Sequence, residues 1–347
     1  MLFFAYPIAA ALLAGCSPGQ RADAAPQSAP EGGAVASSES AAPAEGGQCT
    51  PLETRDPNGS GQRPASPGQT RACGVRSNVA HAVTVVARGT LSADRTRLEG
   101  VRVILHTRPT YNNNMHFGSR LAFGPDGMLY VTMGERSDRE TRPQAQALDS
   151  HLGKTLRITT DGAPAPGNPF IGRSGALPEI WSLGHRNIQA AAFDPQGNYW
   201  TIEHGTRGGD ELNHVEKGKN YGWPVAAYGI EYAGGPITSA LGQAATQRPG
   251  TEQPVYYWDP VIAPSGAQFY TGNAFPAWRN SLFIGALKEM RLVRLTLANG
   301  RVTGEEHLLT DRDKRIRDVK QGPDGALYLV TDEENGELWK LAPSASR

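Results

Sequence analysis

One short pattern recurs along this chain and limits its fold more than any other feature. The segments "SRLAFGPDGMLYVTMGE", "QAAAFDPQGNYWTIEHG" and "RDVKQGPDGALYLVTDE" each read as an apolar strand, a Pro-Asp/Gln-Gly turn and a second alternating strand carrying an aromatic residue. That is the signature of a β-hairpin. A more divergent copy, "SGAQFYTGNAFPAWRNSLFIGAL", keeps the same strand, loop, strand order. The turn begins at Gly124, Asp194 and Gly322, so the copies lie 70 and then 128 residues apart, or twice 64 with the divergent copy between them. Antiparallel hairpins repeated at such intervals in an all-β chain point to a β-propeller, whose blades are four-stranded sheets around a central channel. A β-sandwich is the alternative, and it leaves the regular recurrence of one turn unexplained. The 266 residues from Asn78 to Pro343 accommodate about four blades, and five at most, at this period.

Composition agrees with short strands and tight turns: Gly contributes 41 and Pro 26 of the 347 residues. Lys plus Arg and Asp plus Glu both number 34, so no net charge draws the chain to nucleic acid or to a membrane surface. Residues 1–16, "MLFFAYPIAAALLAGC", form an apolar run too short to span a bilayer and ending at a cysteine, as a bacterial lipoprotein export signal does. Cys16 is then the lipidated residue, Ser17 resembles the outer-membrane sorting state, and the location is periplasmic with attachment through a lipid anchor only. An ordinary trimmed signal is the other reading, since no Lys or Arg precedes the apolar run. Residues 17–48 are dominated by Ala, Ser, Gly, Pro and Glu, the composition of a flexible tether. Residues 49–347 form the propeller domain. Cys49 and Cys73 flank a polar, Pro-rich loop, where a bridge and two free thiols are equally compatible with the sequence.

Polar groups cluster where hairpins begin and end. Arg186, Asn187 and Gln189 precede one hairpin and "HGTRGGDE" comes after it; Lys288 ends an apolar strand; Arg315 and Arg317, two apart, share a face if extended. His116 stands ahead of another hairpin. Loops between blades face the channel, so these groups can meet there.

The ordered segments "HFGSRLAFGPDG", "GHRNIQ", "EHGTRGGDELNHVEKGKNYGWP", "LFIGALK" and "RIRDV" resemble the soluble PQQ-dependent aldose sugar dehydrogenases, the glucose/sorbosone dehydrogenase family of six-bladed propellers. The resemblance implies oxidation of an aldose at C1 to the lactone, with electrons passed to a quinone or other acceptor. It implies His116 as the general base and Arg186 as the group that stabilises negative charge on the quinone oxygen. PQQ carries three carboxylates, which suits a clamp of Lys288, Arg315 and Arg317, with Asn187 and Gln189 holding the quinone edge. Calcium is implied twice: against PQQ through the carbonyls of Gly205 and Thr206, and at a structural site near Glu211 and the backbone of Tyr221, with Asp210 beside it. Thr206 departs from the Gly-Pro common at that position.

Family members also carry, between an early "VTVVA" strand and a later "ADRTRLE" strand, a whole blade, part of the next and a glutamine that touches the cofactor. Here "HAVTVVARGTLSADRTRLEGVRVILHT" runs straight from one to the other. A ring missing a wedge leaves strand edges unpaired and opens the channel wall to water. A catalytically impaired or non-enzymatic tethered propeller, acting as a binding module, is therefore the second reading.

Overall fold

The computed structural model describes residues 83–343. The expected export signal with Cys16, the expected tether, Cys49 and Cys73 lie outside the described residues. Nineteen strands account for most of the regular structure, with two short 3-10 turns and no α-helix among the described residues.

The four hairpins expected from the repeat are present. They are β3 (Gly118–Phe123) with β4 (Leu129–Met133), β7 (Ile188–Phe193) with β8 (Tyr199–Glu203), β13 (Pro264–Phe269) with β14 (Leu282–Ala286), and β17 (Ile316–Gln321) with β18 (Leu327–Thr331). The turn chemistry is visible in the first of them. Asp126 Oδ1 accepts the Met128 amide, and Gly127 sits at φ 74°, a conformation that costs other residues more.

Each hairpin is the inner half of a blade. Blade 1 adds β5 (Lys154–Ile158) and β6 (Ile180–Leu183); blade 2 adds β9 (Asp210–His214) and, after a long loop carrying the small β10 (Thr238–Ser239) and β11 (Gly242–Gln243) pair, β12 (Tyr256–Trp258). Blade 3 adds β15 (Arg291–Ala298) and β16 (Arg301–Leu308), while blade 4 adds only β19 (Leu338–Leu341). The inner strands β3, β7, β13 and β17 stand side by side in that order. Apolar clusters fill the spaces between blades: Tyr130, Ala191 and Tyr199 between blades 1 and 2, Trp200, Leu212 and Leu282 between blades 2 and 3, and Phe283, Val319 and Leu329 between blades 3 and 4. Alternation along each strand sends one face to each neighbour, which is why these strands are apolar on both faces.

The ring is incomplete, as the length implied. Strand β1 (Val85–Leu91) pairs with β2 (Leu98–His106) rather than with β19, and this hairpin packs Val86 and Leu105 against the Leu129, Val131 and Leu156 face of blade 1. Blade 4 stays three-stranded, with Leu338 70% exposed on its last strand, and the outer strand of the hairpin leaves Val101 and Val103 exposed. Across the axis, Arg120 of β3 donates to Asp318 of β17 at 2.8 Å and to the Gln189 carbonyl at 2.9 Å, so blades 1, 2 and 4 are joined by one guanidinium.

Candidate functional site

Every residue expected at the site lies at or near the open end of an inner hairpin or on the blade 2 segments beside it. The register explains the gathering. Gly118 pairs with Met133, Ile188 with Glu203, Pro264 with Ala286 and Ile316 with Thr331, so residues just ahead of the first strand meet residues just past the second. His116 therefore faces Glu135, Arg186 and Asn187 face His204 and Gly205, and Arg315 faces Asp332. Adjacent blades are stitched along this rim. The Glu135 amide donates to the Arg186 carbonyl at 3.0 Å, His204 Nε2 donates to the Pro264 carbonyl at 2.7 Å, and Ser265 Oγ donates to the Ile316 carbonyl at 2.6 Å.

His116 is held through one ring nitrogen. Its Nδ1 lies 2.8 Å from Glu135 Oε1, and Glu135 Oε2 accepts the Ser137 amide at 2.5 Å. A carboxylate only accepts, so Nδ1 carries the proton and Nε2 the lone pair. A Cβ on Gly134 would fall on the His116 carbonyl oxygen, so glycine is required there. Burial first, and then the positive charge of Arg186, push the His116 pKa down to about 4; Glu135 opposes them without prevailing. The ring is a neutral base near pH 7.

Arg186 is almost fully buried. Its amide is accepted by Glu203 Oε2, its guanidinium lies over the Trp223 ring at 5.3 Å, and it donates to the carbonyls of His204 (3.1 Å) and Gly205. Its Nε is buried without a partner among the described residues. Asn187 Oδ1 accepts Gln189 Nε2 at 3.0 Å, next to the Gly134 and His116 backbones. His204 sits between the Arg186 and Arg317 charges, and burial with those charges lowers its pKa although Asp210 opposes them. Asp210 itself accepts the amides of Gly205 and Ala263, both at 2.8 Å.

The cationic side is more open. Arg315 and Arg317 share Asp332, at 2.9 and 2.8 Å, and an Arg315 guanidinium nitrogen lies 3.4 Å from the Leu287 carbonyl, beside Lys288. The Lys288 side chain is exposed and makes no hydrogen bond or ion pair among the described residues. Electrostatic coupling runs from His116 to Arg186, from Arg186 to His204 and from His204 to Arg317, and Arg315 joins that series through the shared Asp332.

Of the expected metal positions, Gly205 and Thr206 lie against Arg186, and Glu211 and Tyr221 line one cavity with Glu203, Arg186 and Trp223. The Gly205 carbonyl is bonded to the Arg186 guanidinium, so the donor pair expected for the first calcium is partly engaged by a cation of the protein itself. At the second position two carboxylates, Glu211 and Glu203, line one cavity, and among the described residues no third His, Cys, Asp or Glu joins them as a metal-holding group. Glu211 is pushed well above the carboxylate range, by burial and then by the Glu203 charge, which is the repulsion a divalent cation relieves.

Glu135, Glu203, His204 and Asp332 were not among the expected site residues. A signal existed for three of them: superposing the repeats puts Gly134-Glu135, His204-Gly205 and Asp332-Glu333 at the same two terminal places, whereas Glu203 falls one place earlier, opposite Met133 and Thr331.

The model of the family described as glucose/sorbosone dehydrogenase matches residues 74–340. The chain is 46% identical over 261 residues to the aldose sugar dehydrogenase YliI of Escherichia coli strain K12, covering 75% of this chain and 69% of that protein. The crystal structure of the soluble aldose sugar dehydrogenase from Escherichia coli in its apo form superposes with a TM-score of 0.73 at 43% identity, over 77% of this chain and 76% of that one. The PQQ-bound form of an aldose sugar dehydrogenase from Streptomyces coelicolor gives a TM-score of 0.59 at 30% identity, over 76% of this chain and 74% of that one.

Proposed function

Because the chain belongs to the glucose/sorbosone dehydrogenase family, we propose that it oxidises an aldose at C1 to the lactone, with PQQ as cofactor and a quinone or other acceptor taking the electrons onward. The observation that carries this reading is the His116–Glu135 pair facing the buried Arg186. His116 Nε2 removes the proton from the O1 hydroxyl while the C1 hydride leaves, and Glu135 stabilises the imidazolium that forms. PQQ, when bound, supplies the acceptor for that hydride. Arg186 offers an unpartnered Nε and a guanidinium desolvated against Trp223, which suits charge developing on an oxygen.

The donor set fits the cofactor. Arg315, Arg317 and Lys288 are cations able to meet carboxylates, with Asp332 holding the two guanidinium groups in register until they are engaged. Asn187 and Gln189 lie on the His116 side of the rim, with the Gln189 amide bonded to Asn187 Oδ1. Calcium near Glu211 and the Tyr221 backbone, with Asp210 beside it, would offset the repulsion between the buried Glu211 and Glu203 carboxylates, whereas the Gly205 carbonyl is already engaged by Arg186. The export signal supports a periplasmic protein anchored through a lipid on Cys16, which labelling with palmitate would detect and Cys16→Ala would abolish.

A second reading, an impaired enzyme or a binding module, is favoured by the open edge of β19 and by the pairing of β1 with β2. Dye-linked glucose oxidation by the full chain with added PQQ and calcium separates the two. Turnover together with a PQQ Kd below about 1 µM in a calorimetric titration supports the dehydrogenase, and neither leaves the binding module.

A further inference from the structure

Behind the rim, blades 1 and 2 share a buried chain of hydrogen bonds. Thr155 Oγ1 lies 2.5 Å from Ser182 Oγ, Ser182 Oγ lies 2.8 Å from His185 Nε2, and His185 Nδ1 lies 2.8 Å from Glu203 Oε1. Thr155, Ser182 and His185 are fully buried, and Glu203 is 3% exposed. Ser, His and Glu in this order also make hydrolytic triads, but burial keeps any substrate from Ser182. The chain therefore acts through its acid end.

A carboxylate only accepts, so His185 Nδ1 carries the proton; in the neutral ring Nε2 accepts from Ser182, which accepts from Thr155. Every donor then points toward Glu203, and such chains polarise one another link by link. Glu203 also accepts the Arg186 amide on Oε2 and Asn213 Nδ2 on Oε1, the latter at 3.1 Å. Most of the lone pairs of the carboxylate are thus occupied. The ring is fixed in place: it stacks on Tyr221 with centroids 4.9 Å apart, and the His185 amide donates to the Gly153 carbonyl at 3.1 Å.

Arg186 follows His185 in sequence and lines the same cavity as Glu203, yet their side chains form no ion pair among the described residues. The guanidinium turns to the carbonyls of His204 and Gly205, and its Nε has no partner among the described residues. A Glu203 with free lone pairs would attract it, because opposite charges in a shared low-dielectric cavity gain most by pairing.

We propose that His185 is a positioning residue: by occupying Glu203, with Ser182 and Thr155 behind it, it keeps the Arg186 charge unpaired and free to act on His116 and on the reacting oxygen. The reacting oxygen rests on the aldose-oxidising reading; the coupling from His185 to His116 does not. Glu135, Arg186 and His204 are the titratable or charged groups that face His116. Burial first and then Arg186 hold its pKa at about 4, while Glu135 opposes them. Pairing Arg186 with Glu203 would cancel the second effect, so the His116 pKa would rise.

The His116 ring is titrated by NMR in the full chain with isotope-labelled histidine, without PQQ or calcium and assigned through His116→Gln, and glucose oxidation is measured with both added. His185→Phe keeps an aromatic ring on Tyr221 and removes the donor. The His116 midpoint is expected to rise by about one unit, and kcat to fall about a hundredfold with KM changed less than about twofold. His185→Asn returns a donor near the Nδ1 position and is expected to restore the midpoint. Asn213→Ala frees the same Glu203 oxygen by another route and should move the midpoint upward too, which decides the matter if His185→Phe does not fold. A midpoint that stays near 4 in the folded variants lacking a donor overturns the inference. An equal shift in His185→Asn also overturns it, since lost packing would then be the cause. A chain that oxidises no sugar yet shows the donor-dependent shift keeps the relay and discards the dehydrogenase.

Discussion

The two sides of the rim are built on opposite electrostatic plans. On the blade 1 and 2 side, His116 is 14% exposed and its partner Glu135 fully buried, and Glu203 ties three donors: His185 Nδ1, the Arg186 amide and Asn213 Nδ2. On the blade 4 side, the Arg315 and Arg317 side chains are 41% and 42% exposed and share one carboxylate. The first arrangement fixes geometry, because low dielectric makes an unsatisfied group costly. The second supplies mobile charge that water and salt screen. A base must be aimed, whereas a carboxylate clamp needs only to be positive, and the burial on each side matches that division.

The contrast can be broken or sharpened by substitution. His116→Gln removes the base and keeps the volume; kcat for aldose oxidation is expected to fall about a thousandfold, measured with a dye acceptor. A smaller loss would mean that another group takes the O1 proton. Glu203→Ala leaves three buried donors without an acceptor, and urea unfolding should show a loss of about 3 kcal/mol. With the His116 pKa held at about 4 against an ordinary 6.5, the acid limb of kcat/KM should lie near pH 4. Between those values the unfolded chain binds a proton that the folded one does not, so the stability contributed by His116 is lost as pH falls from about 6.5 to about 4. Arg315→Gln should weaken PQQ binding about tenfold at low salt and much less at high salt. Least of all, Asp332→Ala should change unfolding free energy by less than about 1 kcal/mol, because its pairs are half exposed. A cost equal to that of Glu203→Ala would erase the distinction between the two sides.

Much of the architecture was legible in the chain. The Pro-Asp/Gln-Gly turns located three inner hairpins and the strand, loop, strand order of the divergent copy the fourth, and the direct join from "VTVVA" to "ADRTRLE" announced the incomplete ring. His116, Arg186, Asn187, Gln189, Lys288, Arg315 and Arg317 could be named as candidates because each stands at or near the end of such a hairpin, within segments that resemble the family. Their partners were harder to read. Glu135, His204 and Asp332 carry only the signal of equivalent places in the repeat, and a register is needed to bring the hairpin ends together. Arg186 bonding to the Gly205 carbonyl, and the Arg120–Asp318 pair joining positions 198 residues apart, have no local signature at all.

By itself, then, the sequence determined local conformation and the kinds of chemical group available, since turn preference and strand alternation act over a few neighbouring residues. Only the tertiary structure decided which groups face one another, how deeply each is buried and hence what charge it carries. Those quantities depend on desolvation and distance between distant segments, which no short stretch of chain encodes.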